Sequence, residues 1–337
     1  MLTFDEIFGQ DRALATIRRA YEIDRLPHAM VFAGPVGVGK ATTALALGTL
    51  FLCEKPDGTL PCGKCESCRI ISAGTHPDYH VVTKELIRYH DATGKSKGID
   101  LSINVIRPEV IDKAAHKAVM NRGKVFVIEQ AELMSTAAQN SLLKTLEEPA
   151  GRTLIILLTD QPGVLLTTIR SRCQLIQFQS LGDDVLRAEL QARNIPSPRI
   201  ENAIRYAGGS LGTAIKWLED GVIARAIDLE KMVDGILGGR SASELPDWFK
   251  AAADEYAEKQ LERDELGSKD QATREGLVLY LKLAADRVRQ KLLSETDADV
   301  LERSCTIIDA LARAEEYVDG NVNVALLFQQ LAVTMER

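Results

Sequence analysis

Ala29-Met30-Val31-Phe32-Ala33 runs directly into Gly34-Pro35-Val36-Gly37-Val38-Gly39-Lys40, and a helix-forming stretch follows from Thr42 to Leu52. A short apolar strand, a glycine loop and a helix, in that order, form the context of a phosphate-binding loop of pattern G-x-x-x-x-G-K. Such a loop turns successive backbone N–H groups toward an anion at the helix N-terminus, and the lysine neutralises β/γ-phosphate charge. The candidate nucleotide residues are Gly34, Gly37, Gly39, Lys40 and Thr42. The residue after the lysine usually carries a hydroxyl for Mg²⁺. Here it is Ala41, with Thr42 one place later. One helical step rotates a side chain by about 100°, so Thr42 is a poor substitute. Two readings stay open: a weak or vestigial ATP site, or an inherited loop that holds no nucleotide.

A second stretch bears on the same chemistry. Val125-Phe126-Val127-Ile128 reads as a buried strand, and Glu129-Gln130 follows at the point where a hydrolytic site carries its Mg²⁺ carboxylate and its water-activating acid. An amide does not take a proton from water at neutral pH, so Gln130 removes general-base chemistry there.

Outward from these two points the chain alternates strand and helix. Residues 10–23 form an amphipathic helix through Ala13, Leu14, Ile17 and Ala20; Tyr79 to Val82 and Leu154 to Leu158 add strands. Helices are expected over Ile106 to Met120, starting near Pro108, and over Thr136 to Leu146, with a mobile loop at 91–98. Alternation of this kind means an α/β fold with a parallel sheet through about residue 178. Beyond it the pattern is helical: 183–193, 198–207, 211–219, 221–237, 244–263, 272–294, 297–317 and 323–336. Gly208-Gly209 and Gly238-Gly239 are expected joints, and the charged stretch from Asp254 to Glu275 reads as solvated helix and turn.

The totals agree. With 337 residues the chain exceeds one typical core and implies two or three domains. Aromatics make up only 5%, so aliphatic helix packing is favoured over a β-sandwich. A net charge of −7 argues against wholesale nucleic-acid binding by the chain alone. No apolar run reaches a membrane span and no signal pattern opens the sequence, so the expected location is the cytoplasm.

Of six cysteines, four are clustered as Cys53-x8-Cys62-x2-Cys65-x2-Cys68. Four thiolates complete a tetrahedral zinc site and leave no open position, so the site is structural rather than catalytic. An Fe–S cluster or free thiols are the alternatives. His76 and His80 lie nearby and are read as structural.

Several further stretches carry a family resemblance: Arg25-Leu26-Pro27-His28-Ala29, Ala73-Gly74-Thr75-His76-Pro77-Asp78, Asn140-Ser141-Leu142-Leu143-Lys144-Thr145-Leu146-Glu147-Glu148-Pro149, and Ser171-Arg172-Cys173. With the glycine loop and the cysteine insert, they make the chain resemble the clamp-loader subunits of bacterial DNA polymerase III, a branch of the ring-forming AAA+ ATPases, over at least residues 1–215. The resemblance implies a P-loop ATPase-type domain with a zinc module (1–178), a small helical lid (179–218) and an all-helical collar for oligomerisation (219–337). It implies that Arg172 acts in trans as an arginine finger on ATP held by a neighbour. A guanidinium suits that task because it offers fixed charge and forked donors to phosphate oxygens. The implied partners are gamma/tau ATPase subunits and a delta subunit, with the sliding clamp and primer–template DNA reached through the complex.

The departures from the hydrolytic members concern nucleotide handling. Ala41 replaces the hydroxyl residue, Gln130 the acid, and Gly212, after Gly209-Ser210-Leu211, the lid arginine. Thr159 occupies the phosphate-sensor position. Three losses with Arg172 retained imply a non-hydrolysing or weakly active structural subunit of a hetero-oligomeric clamp loader. The alternative is an active ATPase motor of such a loader or a related remodeller. A zinc-dependent DNA-binding module is a further rival, disfavoured by the net charge and by the lack of a lysine/arginine-rich stripe.

Overall fold

The computed structural model describes residues 2–90, 100–264, 267–293, 297–318, 320 and 323–336. The expected loop at 91–98 lies outside them. The chain forms two compact units, Met1–Ala214 and Ile215–Arg337.

The first unit is built on a five-stranded parallel sheet. Its strands are β1 (Ala29–Ala33), β2 (Tyr79–Val82), β3 (Lys124–Ile128), β4 (Thr153–Thr159) and β5 (Gln174–Gln177), ordered β2-β3-β4-β1-β5. The three central strands are buried along their whole length. That is why they read as continuous apolar runs rather than alternating ones. Alternate residues serve opposite faces. Met30, Phe32, Val125, Val127, Leu154 and Ile156 pack on one side with Ala13, Leu14 and Ile17 of α1 (Asp11–Glu22) and with Leu47 and Leu50 of α2 (Lys40–Leu52). Val31, Phe126, Ile128, Ile155 and Leu157 pack on the other. Register is parallel throughout, with Ala29 beside Ile155 and Met30 beside Gln174.

Helix α3 (Glu66–Ser72) closes the cysteine insert, and α4 (Ile87–His90) follows β2. The next helical run differs from expectation at both ends. It begins at α5 (Ile103–Ile106), passes through a π-helical turn over Arg107–Asp112, and ends with α6 (Lys113–Ala115). Pro108 is inside the run, not at its start. Proline has no N–H to donate and crowds the preceding turn; a wider π turn tolerates both, so the helix continues. The early stop has a distant cause. The buried carboxylate of Asp78 accepts from the N–H groups of Val119 (2.7 Å) and Met120 (2.8 Å), which drawing those residues into a helix would break. Lys124, also buried, donates from Nζ to the carbonyls of Lys113 (3.4 Å), Ala114 and His116, satisfying the helix C-terminus. Asp78→Ala is expected to cost about 3 kcal/mol, since it orphans two backbone donors of a charge-assisted cap. A urea melt would read that loss as a lower midpoint.

Helices α7 (Thr136–Glu147) and α8 (Thr167–Arg170) flank β4, and α9 (Asp183–Ala192) and α10 (Ser197–Ala207) follow β5. The division between the units falls within α11 (Leu211–Glu219).

The second unit is helical: α12 (Val222–Leu237), α13 (Leu245–Arg263), α14 (Lys269–Leu292), α15 (Ala298–Val318) and α16 (Val324–Glu336). Its core joins Phe249, Tyr280, Leu281, Ile307, Leu311 and Phe328, with the Phe249 and Phe328 rings 4.6 Å apart. Arg287 of α14 pairs with both Glu230 and Asp234 of α12. The helices expected beyond residue 183 are present, with ends within three residues of those read from the pattern. Among the described residues no helix is long and apolar enough to cross a membrane.

Candidate functional site

The glycine loop leaves β1 and enters α2 at Lys40, two residues before the expected helix start. Gly34 N–H donates to Thr159 O (3.1 Å), which ties the loop to the end of β4. Gly37 (φ +73°) and Gly39 (φ +106°) hold left-handed backbone that side chains resist. Lys40 Nζ donates to the loop's own carbonyls, Gly34 O (2.5 Å) and Pro35 O (2.7 Å). Burial lowers its pKa, and the carboxylates of Asp160 and Glu132 counteract that. Ala41 is exposed at the position where a metal-binding hydroxyl would stand, and Thr42 is half-buried.

Glu129 is half-buried; burial and then the charge of Glu85 raise its carboxyl. Gln130 is exposed, in left-handed backbone (φ 49°), and starts a short turn over Ala131–Leu133. Thr159 is buried and its Oγ1 accepts from Gln161 N–H (3.0 Å), so its hydroxyl is engaged in a local turn.

The lid stretch meets the loop backbone to backbone. Gly212 N–H donates to Gly37 O (2.9 Å). A Cβ on Gly212 would lie 2.9 Å from Gly37 Cα, and one on Gly37 would lie 2.3 Å from Ser210 Oγ and 2.8 Å from Thr213 N. Both glycines are therefore required by the approach itself. Glu132, Asp160 and this glycine contact belong to the site and escaped the sequence reading. The only available signal was that Gly212 stands where the resemblance places an arginine.

Arg172 lies apart from its own chain's glycine loop in sequence, directly after α8. Cys173 points inward, buried among Val31, Ile169 and their neighbours, and burial pushes its thiol up to about 12. Arg172 is turned outward. Its Nε donates to Glu147 Oε1 (2.5 Å), its Nη2 pairs with the same carboxylate, and its Nη1 donates to Thr168 O (3.0 Å).

The four clustered cysteines converge. The Sγ atoms of Cys53, Cys62, Cys65 and Cys68 lie within 4.8 Å of one another. A tetrahedral zinc–thiolate site needs sulfurs about 3.8 Å apart at its usual bond length, so the set fits a metal ion with little adjustment. Backbone N–H groups point at the sulfurs: Cys62 N to Cys53 Sγ (3.2 Å), Cys65 N to Cys62 Sγ (3.4 Å) and Cys68 N to Cys65 Sγ (3.4 Å). Donation from Lys64 and Cys65 N–H lowers the Cys62 thiol to about 6. Burial pushes Cys53 and Cys68 up. Arg122 Nη2 donates to Cys53 O (2.7 Å) and Arg152 Nη1 to Phe51 O (2.8 Å), capping the end of α2 that delivers the first cysteine. His76 is no ligand here: its Nδ1 accepts from Asp78 N–H and its Nε2 bonds Ser67 Oγ, both at 3.0 Å. It ties the insert to β2. His80 stacks on Phe126.

A parallel sheet of this strand order, with a glycine loop between its β1 strand and α2, defines a P-loop domain of AAA+ ATPase type. The family model described as "DNA polymerase III, delta subunit" matches residues 9–182. The DNA polymerase III subunit delta' of Bacillus subtilis is 33% identical over 208 residues, 61% of this chain and 58% of that protein. The delta' subunit of Escherichia coli is 38% identical over 197 residues, 58% of this chain and 56% of that protein. A DNA polymerase III subunit gamma/tau of Mycobacterium tuberculosis is 31% identical over 242 residues, 70% of this chain and 40% of that protein. The chain belongs to the delta-prime family of DNA polymerase III subunits. The matches span less than two thirds of the length of these relatives.

Proposed function

We propose that this chain is a non-hydrolysing or weakly active structural subunit of the sliding-clamp loader in bacterial DNA replication, acting in the cytoplasm. It donates Arg172 to ATP bound by a neighbouring gamma/tau subunit, and a delta subunit completes the assembly. Its partners open the sliding clamp and set it on primer–template DNA. Residues 1–178 are the ATPase-type domain, 179–218 the lid and 219–337 the collar. Cys53, Cys62, Cys65 and Cys68 hold structural zinc.

The observation that carries this reading is the contact between Gly212 and Gly37. Where the hydrolytic relatives are expected to keep an arginine for phosphate, this chain has a glycine that lets the lid backbone sit on the loop. Lys40 is at the same time turned onto Gly34 and Pro35 carbonyls. Gly34, Gly37, Gly39, Lys40 and Thr42 then form a vestigial or weak ATP site. With Gln130 in place of the acid, the loop supports structure more than turnover.

Steady-state ATP turnover by the purified chain is expected to equal that of Lys40→Ala. Robust turnover abolished by Lys40→Ala would instead make the chain a motor. Gln130→Glu sharpens the test, because a steep rise in turnover would mean that only the acid was missing.

A further inference from the structure

We infer that Glu147 is a positioning residue for Arg172: it grips one edge of the guanidinium and leaves a terminal N–H presented outward. This inference rests on the proposed trans role of Arg172 and adds the residue that aims it.

A guanidinium carries five N–H donors in a rigid plane, one on Nε and two on each terminal nitrogen. Glu147 takes Nε (2.5 Å) and pairs with Nη2. These two donors lie on the same side of the plane, so the carboxylate occupies the side-on edge. Thr168 O takes Nη1 at 3.0 Å, and Ser171 Oγ makes a longer contact at 3.4 Å. The second N–H of Nη2 has no partner among the described residues. That one N–H at the end of the guanidinium is thus left for an acceptor outside this chain, and a charged N–H donor suits a phosphate oxygen.

Glu147 is itself held. It is the last residue of α7, and Leu146 beside it is buried. His28 Nε2 donates to Leu146 O at 2.7 Å. His28 O in turn accepts from Ile155 N–H at 2.8 Å, which anchors the histidine where β1 begins beside β4. A chain of fixed groups therefore runs from the centre of the sheet through His28, the end of α7 and Glu147 to Arg172. It gives a physical reason for two stretches that look unrelated in sequence, Arg25-Leu26-Pro27-His28-Ala29 and the end of the Asn140–Pro149 stretch. An unpaired arginine on the surface would sample many rotamers and lose most of its orientation before it met a phosphate.

The test uses the loader reconstituted from this chain and its cognate gamma/tau and delta subunits, with clamp and primed DNA present. Glu147→Gln keeps the shape and removes the charge. It is expected to lower kcat for ATP about ten-fold, the scale of a modest misplacement of a reacting group, with KM within about two-fold of wild type. In an Arg172→Ala background the same change is expected to have no further effect. Unchanged kcat in Glu147→Gln, with Arg172→Ala impaired, overturns the positioning role and leaves the finger reading standing. A Glu147→Gln loss that persists in full on top of Arg172→Ala also overturns it, because the glutamate would then act elsewhere. Unchanged turnover in Arg172→Ala overturns both readings together.

Discussion

Arg172→Ala is expected to slow ATP turnover at the neighbouring subunit's site by about 10³-fold, the lower end of what a trans arginine supplies. That corresponds to about 4 kcal/mol of transition-state stabilisation. The side chain is exposed, so its loss leaves the fold of this chain intact. The inward-facing Cys173 and the backbone bond from Arg172 N–H to Ile169 O (3.0 Å) still hold the segment in place. The change therefore separates chemistry from assembly. Size-exclusion chromatography should return the same complex, and nucleotide binding by the neighbour should be close to normal. Only single-turnover hydrolysis should fall. A complex that assembles, binds ATP and hydrolyses it at the wild-type rate would sink the trans role. Arg172→Lys is expected to recover little, because an ammonium keeps the charge and loses the planar fork.

Cys68→Ser is expected to remove bound metal and to destabilise the first unit by about 4 kcal/mol, the scale at which loss of a structural ion stands out from ordinary substitutions. Cys68 is buried at the first turn of α3, so one lost ligand leaves three sulfurs facing each other with no ion between them. Elemental analysis should fall from about one equivalent of metal per chain to near zero. Hydrogen exchange should rise across residues 53–72, and the thermal midpoint should drop. Lowering the pH works in the same direction, because protons compete with metal for thiolates. Backbone donation lowers the Cys62 thiol to about 6, whereas burial raises Cys53 and Cys68, so a bound ion would have to displace their protons. Metal content and stability unchanged in Cys68→Ser would rule out a four-thiolate site.

Much of the fold is legible in the sequence, and the exceptions share a cause. The apolar runs of β1, β3 and β4 announce themselves because both faces of each strand are covered. The helices after residue 183 are legible from their periodicity, and the cysteines from spacing that already implies proximity. The end of α6 is not legible in the sequence because the group that stops it, Asp78, lies 41 residues away from Val119. Pro108 reads as a helix start because its rule is local, while the π turn around it depends on packing. The Glu147–Arg172 pair spans 25 residues and leaves no periodic trace. Nor does the Gly37–Gly212 contact, which only an absent side chain at each end permits. Local chemistry is written in local sequence; a bond between distant positions is visible only once the chain has closed.

Helix α2 has the glycine loop at its foot and Cys53 at its head, as a rod of about 20 Å. Its length is consequently fixed in phase as well as in reach. Inserting or deleting one residue would swing the cysteine insert about 100° around the rod relative to the loop. On the proposed reading, a loop without turnover would in this way be kept from drifting. The loop is the footing on which the four-cysteine end is aligned, a reason to keep it that does not depend on hydrolysis.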